Sequence, residues 1–285
     1  MDGRNEQFLP PVFIVSPTGK SGTNFLAKVL VTLDLCERPK VEVLTREDYL
    51  LFNSERLRQY AFETANIWKR WEKDDKQLNL RTKQLLKNIG DGVLQFLGTP
   101  SDPRKRLVVK TPDSNQLKNF PDLFPEAKLI LLVRDGRDTS ESQVKAGYRP
   151  EYEGAFQNWA ARTRDLLDFM QNRGKALEAK MWIMIHYEQL VNDPQSTADE
   201  LATFLGCDDT VMDGARINDL PVLGSAYVGT NEDGPQVSTW RVANKPKDFN
   251  PVGRWVDWDV ERRKQFKEIA GKELVELGYE SDQSW

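Results

Sequence analysis

Apolar residues fall into two kinds of stretch along this chain. Short unbroken runs appear at Val12–Val15, in "RLVVK" ending at Lys110, in "AKLILLVR" ending at Arg134 and in "MWIMIHY" at 181–187. Their length and lack of polar alternation predict strands of a parallel sheet covered on both faces. Elsewhere the apolar positions recur every three or four residues. Phe25, Leu26, Val29 and Leu30 predict a helix directly after the first strand, and "SERLRQYAFETANIWKRW" and "RTKQLLKNIGDGVLQFL" predict two more before the second. In "NDPQSTADELATFLG", Asp193 caps, Pro194 takes the first helical position, Ala198, Leu201 and Leu205 share a face, and Gly206 stops the helix. Phe266, Ile269, Ala270, Leu274 and Leu277 predict a last helix before Gly278. Strands alternating with helices predict a three-layer α/β/α fold with a central parallel sheet.

The 285 residues contain no Gly/Ser- or Pro-rich linker, so the expectation is one domain over 1–285. With 39% hydrophobic and 29% charged residues, the chain can build a core and offers no membrane span. "MDGRNEQFLPP" lacks the basic start and apolar centre of a secretory leader, and two cysteines, Cys36 and Cys207, are too few for a disulfide scaffold. Both features predict a cytoplasmic protein. A net charge of −4 gives no general pull on nucleic acid, so phosphate binding requires a local cationic cluster. The single histidine, His186, excludes a multi-histidine zinc site, and its apolar strand makes it a core or strand-end residue.

Ligands of such sheets bind beyond the carboxyl ends of the strands, where the loop after Val15, Lys110 and Arg134 are expected to converge. "PTGKSGTNFL" has the parts of an anion cradle: small residues that let the backbone fold closely, a helix N-terminus, and the charge of Lys20. An ATP loop, G-x-x-x-x-G-K-[ST], requires glycine at position 14, which here is Ile14. An ordinary strand-to-helix turn is the alternative. In "LILLVRDGRDTSESQ", Arg134 leaves a strand and Ser142 follows eight residues on, a spacing that can set a guanidinium and a hydroxyl around one phosphate. Taken alone, "RDGRD" also fits a solvated strand exit.

Together these stretches resemble the sulfotransferases that use 3′-phosphoadenosine 5′-phosphosulfate (PAPS). "KSGTN" is similar to the phosphosulfate loop "PKSGT" or "RSGTT", "RDGRD" stands where relatives carry "RDPRD" or "RNPKD", and "VVKTPDS", "IHYEQLVNDPQSTADELATFLG" and "GRWVDW" resemble further family segments in the same order. The resemblance spans residues 12–278, with little match at about 50–105 and 210–250. It implies a P-loop-related fold and transfer of a sulfuryl group to a hydroxyl of a small alcohol, phenol, lipid or sugar, with no metal required. It also implies that Lys20 neutralises the bridging oxygen and 5′-phosphate, that Gly22, Thr23 and Asn24 complete the loop, and that Ser21 restrains Lys20. Arg134 and Ser142 would hold the 3′-phosphate, Tyr187 the adenine, and Lys110 the sulfuryl oxygens.

Two departures accompany the resemblance. Pro112 replaces the histidine of the "KTH" segment, so a carboxylate becomes the expected base. Glu42, twenty-two residues past Lys20, matches the glutamate of tyrosylprotein and trehalose-type branches, with Glu37, Glu47 and Asp113 as competitors. The "RKGxxGDW" element is also missing, leaving Lys245, Lys247 or Arg254 to complete the 3′-phosphate site. The absence of the cytosolic family's dimerisation signature leaves the oligomeric state open. Tyr60, Trp68, Trp71 and Phe96 are either an acceptor pocket or core. A P-loop kinase using ATP and a nucleotide-binding module without catalysis are the competing functions.

Overall fold

The structure, a computed structural model, describes residues 8–41, 47–207, 214–218, 220, 227–231, 234–238 and 250–285. Strand β1 (Val12–Val15) leads into α1 (Thr23–Thr32), β2 (Cys36–Glu37), α2 (Ser54–Trp68) and α3 (Asp75–Leu97). Then come β3 (Arg106–Thr111), α4 (Phe120–Leu123), β4 (Lys128–Val133), α5 (Gly136–Lys145) and α6 (Tyr152–Asp168). The remainder comprises β5 (Trp182–His186), α7 (Tyr187–Asn192), α8 (Pro194–Leu205), α9 (Ala215–Asn218), a hairpin of β6 (Tyr227–Asn231) and β7 (Gly234–Ser238), and α10 (Val260–Glu276).

The first five strands form one parallel sheet in the order β2-β3-β1-β4-β5. Successive residues of a strand face opposite sides, and here both sides are covered. Phe13, Val15, Leu129, Leu131 and Val133 pack with residues of α2, α3, α4, α6 and α10, while Val12, Ile14, Ile130 and Leu132 pack with α1, α7 and α8. The unbroken apolar runs thus have the predicted cause. Phe13 is wholly buried, with Phe124 at 4.6 Å and Phe120 edge-on at 5.2 Å between ring centroids. Burial of a side chain of this size contributes about 1.5–3 kcal/mol. No helix among the described residues is long and apolar enough to cross a membrane.

The departures from expectation include β2, the β6–β7 hairpin and the start of α3. β2 was not predicted, because a two-residue strand opposite Arg106 and Leu107 is too short to leave a pattern. α3 begins at Asp75 rather than near residue 81, since Asp74 accepts the N–H groups of Lys76 and Gln77 at 2.8 and 3.4 Å and caps an otherwise polar first turn. α8 is built as expected, with Asp193 accepting from Ser196 N at 3.1 Å and Gly206 in the left-handed conformation beyond it.

The sheet order places β1 between β3 and β4. The chain leaves β1 toward one edge of the sheet and later returns to the other, so the loops after β1 and β4 part at the carboxyl edge and a crevice opens there.

Candidate functional site

The loop after β1 occupies that crevice. The hydroxyls of Ser16 and Ser21 both donate to Thr18 O, at 3.0 and 2.8 Å, and tighten the turn from inside. Lys20 and Gly22 both adopt left-handed backbone, with φ of +75° and +96°. At position 22 only glycine fits, because a Cβ would lie 2.2 Å from the Tyr187 ring. α1 starts at Thr23 with no acidic residue in its first turn, so the positive end of its dipole faces the crevice uncompensated.

Arg134, at the tip of β4, is 1% exposed. It donates to Lys20 O at 2.7 Å and to Pro251 O at 2.6 Å, and its guanidinium lies 4.7 Å from the Tyr187 ring centroid. The arginine therefore binds two stretches of backbone together and braces the loop. Tyr187, expected beneath an adenine, is wholly buried, packed under Gly22 and edge-on to Phe25. Arg254 adds a second cation: burial, and next the charge of Arg134, push its pKa down. Lys245 and Lys247 lie outside the described residues.

"RDGRD" is no solvated exit. Ser142 and every other residue from Gly136 to Gln143 are buried, although nearly all are polar. Asp135 caps α5 and pairs with the guanidinium of Arg137 at 2.7–3.1 Å, while Glu280 accepts from Arg137 at 2.6 Å. The Arg137 guanidinium lies 3.7 Å from the centroid of Trp255 and 4.7 Å from that of Trp285. Asp138 accepts from Gly253 N at 2.8 Å and Trp255 N at 3.3 Å, which fastens the segment carrying Arg254 to α5. Gly136 packs directly on Trp159, where a Cβ would lie 2.5 Å from the indole.

Lys110, near the end of β3, donates Nζ to Asn24 Oδ1. Burial, reinforced by the charge of Arg38, lowers its pKa to about 8, against the pull of Glu47 and Asp48. Asp48 accepts from Lys110 N at 2.6 Å, Thr111 Oγ1 at 3.0 Å and Leu50 N at 3.2 Å, and burial raises its carboxyl to about 6.

A cavity of about 170 Å³ opens beside the loop. Its lining includes Lys20, Gly22, Thr23 and Asn24, and also Glu47, Tyr49, Asp113 and Tyr148. Tyr49 donates to Glu47 Oε2 at 3.1 Å. Asp113 is raised from the usual carboxylate range by burial and lies 3.5 Å from Arg162 Nε. Glu37 is elsewhere, accepting from the backbone N–H and hydroxyl of Ser101. Glu42 lies outside the described residues. His186 ends β5, with Nε2 3.1 Å from Leu277 O, a strand-end role as expected.

Tyr60, Trp71 and Phe96 are not core: they are 59%, 74% and 67% exposed, and none of them lines this cavity. Trp68, half-buried, and Trp71 line a separate groove between α2 and α3. Sequence reasoning missed Gln143, Tyr148 and Asp48. Gln143 was legible only as the neighbour of Ser142, and Asp48 reaches Lys110 across 62 positions, which no local spacing records.

A family model for the sulfotransferase family matches residues 10–211. The chain belongs to that family. Protein-tyrosine sulfotransferase A of Caenorhabditis elegans is 26% identical over 162 residues, covering 52% of this chain and 42% of the relative. Protein-tyrosine sulfotransferase 1 of Danio rerio is 27% identical over 199 residues, covering 66% and 52%. The chain thus spans about half the length of these curated relatives. Among solved structures, mouse sulfotransferase SULT7A1 complexed with PAP aligns over 94% of this chain and 89% of its own, with a TM-score of 0.50 at 15% identity. Retinol dehydratase in complex with androsterone and inactive cofactor PAP aligns over 95% and 82%, with a TM-score of 0.50 at 14% identity. These two bear on the fold alone, and they share the P-loop-like architecture of the parallel sheet described above.

Proposed function

We propose that this chain transfers a sulfuryl group from PAPS to a hydroxyl acceptor. The observation that carries the reading is the meeting, at one edge of the sheet, of a loop holding Lys20, a buried Lys110 joined through Asn24 to the start of α1, and a cavity that Glu47 and Asp113 also line. Relatives named protein-tyrosine sulfotransferases support it. The donor fits the residues present: the tight turn at Gly22, the uncompensated N-terminus of α1 and the neighbouring guanidinium groups of Arg134 and Arg254 form a local cationic site in a chain of net negative charge.

PAPS supplies an activated sulfuryl group whose leaving oxygen gains charge during transfer. Lys20 and the N–H groups at the start of α1 neutralise that charge, and Lys110 acts on the sulfuryl oxygens. Ser21, Gly22, Thr23 and Asn24 shape the loop, while Arg134 and Ser142, with Arg254 joining them, act at the 3′-phosphate, and Tyr187 serves the adenine from beneath the loop. A carboxylate takes the acceptor proton. Glu42 remains the base by resemblance. Glu47 is the second reading, favoured because its carboxylate lines the cavity and bears on Lys110. The free state of Cys36 and Cys207 supports a reducing compartment, the cytoplasm.

The test is transfer of radiolabelled sulfuryl from PAPS to phenols, alcohols, sugars, lipids and tyrosine peptides, with thermal protection by 3′-phosphoadenosine 5′-phosphate and by ATP measured in parallel. Protection by the bisphosphate alone, with labelled product, is expected. Protection by ATP would favour a kinase instead, and bisphosphate protection without transfer to any acceptor would favour a binding module. Ile14, wholly buried in β1 where an ATP loop requires glycine, supports the first outcome. Glu42→Gln and Glu47→Gln, assayed separately, identify the base as the one whose loss lowers kcat while nucleotide affinity holds.

A further inference from the structure

Lys20 has a second partner in the cavity. Its Nζ lies 4.4 Å from the ring centroid of Tyr148. The ring is 53% exposed, so core packing does not dictate its place. The end of α5 dictates it instead. Tyr148 N donates to Gln143 O at 2.9 Å and Gly147 N to Val144 O at 3.0 Å, with Gly147 left-handed at φ +70°, the paired bonds of a Schellman cap. The side chain of the same Gln143 donates to Thr18 Oγ1 and Gly19 O, both at 2.9 Å. One residue therefore ties the aromatic ring and the lysine loop together. Ser21, to which the family resemblance gave the task of restraining Lys20, directs its hydroxyl at Thr18 O.

We propose that Tyr148 is a positioning residue that holds the Lys20 ammonium on its ring, away from the bridging oxygen of the donor, until an acceptor enters the cavity, and so limits loss of the sulfuryl group to water. This rests on the sulfotransferase reading. In the suppressed reaction a water oxygen bonds to sulfur, and the bond from sulfur to the bridging oxygen breaks with its electron pair remaining on the 5′-phosphate. The water protons pass to solvent, and the products are sulfate and 3′-phosphoadenosine 5′-phosphate. Lys20 promotes that cleavage as it does productive transfer, so its position in the absence of acceptor decides the leak. Glu47, Tyr49, Asp113 and Arg149 line the same cavity as Tyr148, so an acceptor entering there meets the exposed ring and competes with the ammonium for it.

The experiment measures radiolabelled sulfate released from PAPS without acceptor by the wild type, Tyr148→Leu and Tyr148→Phe, with bisphosphate affinity measured calorimetrically for each. An exposed cation–π contact corresponds to a rate factor of about 2–5. Tyr148→Leu is expected to raise acceptor-free release by that factor, and Tyr148→Phe, which keeps the ring, to retain the restraint. Release by the leucine variant at or below the wild-type level, or an equal rise in the phenylalanine variant, overturns the proposal while bisphosphate binding preserves the sulfotransferase reading. Failure of the wild type to bind the bisphosphate removes both.

Discussion

Single residues at this site carry two duties, and the structure separates them. Arg134 was expected to serve the nucleotide, yet its guanidinium is already shared between the carbonyls of Lys20 and Pro251. Hydrogen bonds from a charged donor contribute about 1.5–3 kcal/mol each, so Arg134→Ala should lower the unfolding free energy by at least about 2 kcal/mol in urea titration as well as weaken nucleotide binding. Lys20→Ala should cost less than about 1 kcal/mol, because its side chain is not part of the core. Lys110 sets a pH dependence. Its folded pKa of about 8 lies below the ordinary 10.5, so between these values the unfolded chain binds more protons and folding stability rises with pH. The ammonium is lost over the same window. Turnover should therefore fall above pH 8, and Lys110→Arg, which keeps its charge, should flatten that limb whatever its absolute rate.

At the scale of elements, packing explains α5 better than pattern does. Its residues are polar, and a reading by hydrophobic period would leave it in solvent, but Asp135 pairs with Arg137, Arg137 and Asp138 find partners in the C-terminal segment, and all three can be buried. Glycine at 136 follows from the Trp159 ring beside it. Gly136→Ala should destabilise by about 1–3 kcal/mol through overpacking, and the companion Trp159→Phe should recover part of the loss, read by thermal unfolding. The four longer strands of the sheet and the helices around Phe25, Leu201 and Phe266 were legible because each has an apolar run or face of ordinary length. β2 and the β6–β7 hairpin were not. The first is stabilised by pairing with β3 alone, and the second falls in a stretch without recognisable alternation.

Across the whole molecule, the loop, Lys110 and Arg134 were legible together because sheet topology carries the ends of separate strands to one edge. The rest of the cavity lining was legible only in part: Glu47 and Asp113 stood among the candidate bases, but Tyr49 and Tyr148 were not foreseen, since they converge through tertiary contacts between segments of unrelated pattern. The C-terminus adds another long-range link. Trp285 stacks on Arg137, Glu280 accepts from it, and Tyr279 donates to Glu188 at 2.9 Å, whose carboxylate accepts from Asp135 N. Trp285→Ala should lower stability by about 1–2 kcal/mol, and hydrogen exchange should show the loosening in α5 rather than in α1.

The short outer strand β2 has a consequence for where the sheet opens first. Two paired residues join Cys36–Glu37 to β3 at the margin of the sheet, whereas the lysine loop springs from the middle strand. Local opening should therefore begin at this margin, with the amide protons of β2 exchanging before those of β1, so that the lysine loop keeps its footing while the edge frays.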